Sequence, residues 1–256
     1  MNKLIDLNCD MGESFGLWSF GKDEAMMDFV TSANLACGYH AGDPSTMRKS
    51  VELCKERGIA VGAHVGLPDL LGFGRRRMEV SINDLKNYII YQTGALQAFL
   101  DIYGMKMQHM KLHGALFSMA AESKELSRAA LEATAEINSE LIIFTMESTE
   151  TYAVAKEMGF KVAREFYGDR GCEPSGILTF KYNLEDIGGS PEASAKRIVR
   201  VLEEKRVITS DGTDIDFECE TFCIHSDTDC ALDIAINTKN ELEKAGWSLT
   251  PLREYF

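Results

Sequence analysis

Apolar and polar positions alternate one by one through Ile5-Asp6-Leu7-Asn8-Cys9-Asp10-Met11-Gly12-Glu13. A strand points successive side chains to opposite faces, so Asp6, Asn8 and Asp10 form a polar row while Ile5, Leu7 and Cys9 face the other way. Counting this strand near residues 4–8, seven short runs rich in β-formers read as strands. The others lie near 29–35, 60–64, 108–113, 141–146, 161–166 and 220–225. Segments of helical period separate them. Asp43-Pro44 supplies an N-cap and a proline at the first helical position, Met47, Val51 and Cys54 make an apolar stripe, and Gly58 ends that helix. Ser81 with Asp84 reads as a capping box opening a long helix that runs towards Gly104. Further helices are expected at 123–137, 149–158, 191–205 and 228–245, with a hairpin turning at Asp211-Gly212.

Strands that alternate with helices predict a parallel α/β fold. Polar residues recur where strands end: Asp6-Asn8-Asp10, Asn34 with His40, His64, Lys111 with His113, Glu165 with Asp169-Arg170, and His225 with Asp227. A closed barrel brings all such ends to one rim, whereas an open sheet gathers its ligand between two strands. Six contributing strands favour the barrel. No linker-like segment divides the 256 residues, so 1–256 are expected to form one barrel domain.

The net charge of −13 excludes nucleic acid or an anionic membrane as main partner. Seven scattered cysteines without a C-x-x-C pair read as reduced thiols, and with no leader-like or membrane-length apolar run the expected location is cytoplasmic. Four of the five histidines, His40, His64, His113 and His225, fall at strand ends, and His109 falls inside a strand. Such a convergence suits proton transfer. Histidine with carboxylate also suits a divalent metal, for which Asp10, His40 and His64 are the candidates, although no H-E-x-x-H is present to require one. In "GAHVGLPDLLGFGRRR", Arg75 and Arg76 on a glycine-rich loop suit bidentate capture of a carboxylate or phosphate, with Arg77 read as surface charge. No G-x-x-x-x-G-K-[ST] loop for ATP occurs, and no serine elbow.

The segments "DLNCDMGESFG", "SANLACGYHAGDP", "VGAHVGLPDLLGFGRR", "YQTGALQA", "KLHGAL", "REFYGDR" and "CIHSDT" resemble, in order, the motifs of the LamB/YcsF family. The resemblance runs from the first strand to the last helix. It implies an irregular seven-stranded (β/α) barrel of the glycoside hydrolase/deacetylase type. It also implies opening of 5-oxo-L-proline to L-glutamate, as the A component of a 5-oxoprolinase working with partner subunits B and C and with ATP as co-substrate. The chain departs from the family pattern at Leu112, Phe117-Ser118, Gly168, Cys172, Ser226 and Asp229, while the charged residues of those motifs are kept.

On this reading Asp10, His64, Lys111 and His113 carry the chemistry. Asp10, or His64 beside it, deprotonates the attacking water, and Lys111 with His113 stabilises the developing charge. Asp6, Asn8, Glu13, Asn34, His40, Arg75, Arg76, Asp169, Arg170, His225 and Asp227 are the expected substrate-binding and supporting set. Two alternatives stand beside it: a metal-dependent deacetylase or amidohydrolase, and a non-catalytic subunit that binds an acid metabolite.

Overall fold

The computed structural model describes residues 3–256. Its strands are β1 (Lys3–Met11), β2 (Ser32–Ala36), β3 (Ala60–Val65), β4 (Met107–Leu112), β5 (Ile142–Thr145), β6 (Val162–Tyr167), β7 (Arg206–Ile208), β8 (Asp214–Asp216), β9 (Thr221–Cys223) and β10 (Trp247–Leu249). Its helices are α1 (Asp23–Met26), α2 (Pro44–Arg57), α3 (Ile82–Ile102), α4 (Gly114–Ala121), α5 (Lys124–Asn138), α6 (Glu150–Glu157), α7 (Pro191–Glu204) and α8 (Ala231–Lys244). β1 to β6 and β9 pair in parallel and in sequence, and β9 returns to β1, closing a seven-stranded barrel. β7 and β8 form the expected antiparallel hairpin outside it.

The caps act as the sequence predicts. Asp43 accepts from the backbone N–H groups of Ser45 and Thr46, Gly58 closes α2 at φ 70°, and the Ser81 hydroxyl accepts from Asp84 N–H to start α3. Three elements lie outside the sequence expectation. α4 is apolar on nearly every side (GALFSMAA), so it shows no helical period to detect. α1 is a single turn. β10 is three residues long and adds in parallel to Lys3–Ile5, below the level at which β9 closes the ring.

The core is divided. The main aliphatic cluster fills the layer between barrel and helices, with Leu7, Cys9, Leu35, Val61, Ala63 and Met110 pointing outward from the strands. The barrel interior carries mostly the opposite alternation. Asp6 accepts from the hydroxyls of Thr31, Ser32 and Thr221; Asn34 donates to Asn8 and Asp10; His109 bonds Asn34 and stacks on Phe144 at 3.9 Å. Parallel barrels are ordinarily filled by branched aliphatic layers. Here only the base is apolar, where Ile142, Phe144, Ala163 and Leu252 cluster. Among the described residues no helix is long and apolar enough to cross a membrane.

Candidate active site

Strand register stacks the polar side chains in layers. Asp10 pairs with Asn34 of β2, His64 with Lys111 of β4, and Glu165 with Thr221 of β9. At the upper layer Asp10 is the hub. Its Oδ1 accepts from Lys111 Nζ at 3.0 Å and Asn34 Nδ2 at 2.7 Å, while Oδ2 lies 3.2 Å from His64 Nε2 and 3.6 Å from His225 Nε2. Burial pushes this carboxyl up, but neighbouring His64 and Lys111 outweigh it and hold Asp10 well below the usual carboxylate range. Lys111 Nζ is also ion-paired with Glu165 Oε1 at 2.8 Å and donates to Cys223 Sγ at 3.5 Å. Burial would lower its affinity for a proton; the flanking acids raise it well above normal and keep the ammonium charged.

The histidines form a chain. Burial first, then neighbouring His64, lowers His113 well below its ordinary value, so it is neutral at pH 7. Its Nε2 donates to the Phe73 carbonyl at 2.8 Å, which leaves Nδ1 an acceptor facing His64 Nε2 at 3.0 Å. The hydrogen on His64 Nε2 is therefore shared between Asp10 and His113. His40 stacks on His113 with centroids 3.7 Å apart, and its Nε2 is 3.5 Å from Glu13 Oε1. The loop before α3 makes this possible. Gly74, at φ 63°, lies where a Cβ would stand 2.6 Å from His40 Cβ, and the Gly74 carbonyl accepts Ala115 N–H at 2.9 Å.

His225 is fixed from behind. Asp169 accepts its Nδ1–H at 2.9 Å and its backbone N–H at 3.0 Å, and is itself held by Arg170 and Thr228. Burial opposes ionisation of Asp169, but His225 and Arg170 prevail and keep it far below the usual range. Asp169 thereby fixes the His225 ring with its Nε2 towards Asp10. Asp10, His64, Arg75, Lys111, His113, Tyr167, Arg170, Phe180 and His225 line a cavity of about 30 Å³, room for one or two waters.

Some expected residues lie elsewhere. Arg76 is clasped by Asp69, its Nε 3.0 Å from both carboxylate oxygens, with its side chain 65% exposed and outside this cavity's lining. Arg75 does face the cavity, lying over Phe73 at 5.0 Å and 3.4 Å from Asp227, and Arg77 pairs with Glu122 at the surface as expected. Asp6, Asn8 and Asn34 are fully buried below the rim, hydrogen-bonded to neighbouring strands, and form a floor outside this cavity's lining. The sequence does not single out Tyr167 or Phe180, and it marks Glu165 only as a strand end; the alternation of β6 is the signal that places Glu165 and Tyr167 inward together.

A buried set of Glu13, His40, His64 and His113 presents ligand atoms all within 4.8 Å of one another. Both ring nitrogens of His40 and Glu13 Oε1 are buried without a hydrogen-bond partner, which fits a divalent cation of the zinc or manganese class. The metal set expected from the sequence divides here. His40 and His64 join this cluster, whereas Asp10 groups with Cys223 and His225, where the Lys111 ammonium already supplies the positive charge.

The LamB/YcsF family model matches residues 5–256. The A component of 5-oxoprolinase from Bacillus licheniformis is 43% identical over 241 residues, covering 94% of this chain and 95% of that protein. Its counterpart from Thermococcus onnurineus is 42% identical over 251 residues, 98% of each. The fold is similar to the crystal structure of a lactam utilization protein from Thermus thermophilus, with a TM-score of 0.90 at 36% identity over 96% of this chain and 98% of that one. With its motifs, its closed barrel and these relatives in agreement, the chain belongs to the LamB/YcsF family.

Proposed function

We propose that this protein is the A component of an ATP-dependent 5-oxoprolinase, hydrolysing the lactam of 5-oxo-L-proline to L-glutamate. The observation that carries the reading is Asp10, a buried carboxylate kept ionised at the rim with its Oδ2 between His64 and His225, in a chain whose relatives bear that name. Amide resonance protects a lactam from water, so phosphorylation of the lactam oxygen is the sensible use of ATP. The chain carries no P-loop. Partner subunits B and C therefore activate the ring, and this chain adds the water.

Asp10 Oδ2 orients the water and draws its proton. A carboxylate stabilised this strongly does not hold a proton long, and His225, aimed by Asp169, passes it to the ring nitrogen as the C–N bond opens; the acyl phosphate so formed then loses inorganic phosphate to a second water, which gives L-glutamate. Lys111 donates to Asp10 and is ion-paired with Glu165; its contact towards Cys223, at 3.5 Å, is the one that the phosphoryl oxygens of the activated ring can take. Arg75 and Arg170 at the mouth offer the charge that receives the substrate carboxylate or phosphate.

A second reading rests on Glu13, His40, His64 and His113, which would hold a divalent cation. Such an ion supplies Lewis acidity and an activated water when bound. The deciding experiment purifies the protein with the products of its neighbouring genes and follows ATP-dependent glutamate formation from 5-oxoproline, with metal analysis and a chelated control. ATP-dependent turnover that survives chelation supports the first reading. Failure with both partners present, together with chelator-sensitive hydrolysis of simple amides by the chain alone, would overturn it in favour of the second.

A further inference from the structure

Among the described residues Glu165 is the acid with both carboxylate oxygens buried and without a hydrogen-bond partner. Its side chain is 1% exposed, and neither carboxylate oxygen makes a hydrogen bond of good geometry. Its polar contact is the ion pair with Lys111 Nζ at 2.8 Å. By contrast Asp6, in the same interior, is satisfied by three hydroxyls, and Asp169 by a histidine, a threonine and an arginine. Lys111 does not need a second acid, since Asp10 is already 3.0 Å away. One ammonium between two carboxylates leaves a net negative charge in a closed interior, an arrangement that costs stability unless it serves something else.

We infer that Glu165 is a positioning residue, which anchors the Lys111 ammonium from below so that Asp10 does not direct it alone and its third hydrogen stays open to the substrate. The alternation of β6 sends Glu165 inward one layer below Tyr167, level with Thr221. From there it holds Nζ over the face of Tyr167 at 5.3 Å and beside Cys223, with the hydrogen bond to Asp10 kept at 3.0 Å. The ammonium thus stands between two layers, with its hydrogen towards Cys223 only weakly engaged. Without Glu165 the ammonium is directed by Asp10 alone and leaves its place over Tyr167. The remaining pair balances in charge, so the fold does not suffer, but the hydrogen offered to the substrate is no longer aimed.

The inference rests on the lactam-hydrolysis reading for its rate measurement alone. Glu165→Gln, assayed in the complex, is expected to lower kcat by about tenfold or more with KM within about twofold, because the substrate's anchoring arginines are untouched. Its Tm is expected to stay within about 2 °C of the natural protein or to rise. Glu165→Asp keeps the charge one methylene further off and is expected to recover part of kcat. An unchanged kcat in the Gln variant overturns the inference, as does an Asp variant no faster than the Gln variant. A Tm loss beyond about 5 °C in the Gln variant also overturns it, since Glu165 would then be a structural partner of Lys111. Should the natural complex fail to open the ring, the functional reading falls. Glu165 is then decided by the Tm comparison and by a crystal structure of the Gln variant, where Nζ must have left its place beside Cys223 and Tyr167.

Discussion

Two aspartates of one strand, Asp6 and Asp10, illustrate how environment divides the work of identical side chains. Asp10 meets charges, which favour its ionised form. Asp10→Asn keeps the shape and the Asn34 contact but removes the proposed acceptor for water's proton, and is expected to lower glutamate formation by about 10²-fold or more while circular dichroism and Tm show a folded protein. Asp6 meets only hydroxyls, so burial dominates and raises its pKa from 3.8 to about 6. A raised carboxyl favours the folded state when protonated: its contribution is full below about pH 4 and disappears as pH rises through about 6. A shift of this size corresponds to about 3 kcal/mol. Asp6→Asn, a mimic of the protonated acid, should therefore flatten the fall in unfolding free energy between about pH 4 and 7, and identical pH profiles for the two proteins would contradict this origin. The alternating row on β1 is legible in the sequence because a strand has a period of two residues. The fate of Arg76 is not, because a loop has no period to show that Asp69 curls back to take its guanidinium.

At the scale of elements, the strands and long helices are legible wherever a cap or a periodic face marks them. What escapes are pieces whose pattern is set by surroundings: α4, apolar on nearly all sides because it is covered, and β10, too short for a pattern and stabilised by pairing with Lys3–Ile5. The β3–β4 pair shows a feature visible only in three dimensions. Gly62 faces the barrel interior without a positive φ, yet a Cβ there would lie 2.1 Å from the His109 ring. The register shifts at this point, between Val61 and Gly62, as the strand accommodates the imidazole. Gly62→Ala is expected to cost about 1–3 kcal/mol in chemical denaturation, because the ring is pinned between Phe144 and Asn34 and cannot give way. Gly94, on α3, has nothing within 4 Å of its would-be Cβ and is the control: Ala there should be neutral or stabilising by up to about 1 kcal/mol.

For the whole molecule, the inversion of the ordinary barrel plan is what connects fold to chemistry. Aliphatic side chains hold the helices to the outside of the strands, which frees the lumen for hydrogen-bonded and charged groups in register, and the rim is simply the last of those layers. That plan is only half legible from the sequence, because strand alternation tells which residues share a face but not which face turns inward. It also fixes when the protein can become itself. β1 is sealed by β9 and extended by β10, and the bond from Asn8 to Thr221 spans 213 residues. β1 thus waits for β9, holding a row of unsatisfied acids with no lumen to receive them. The ring cannot shut before Thr221–Cys223 has been synthesised. Ribosome-bound chains halted before Thr221 should accordingly remain open to protease throughout, and acquire resistance only once the closing strand emerges.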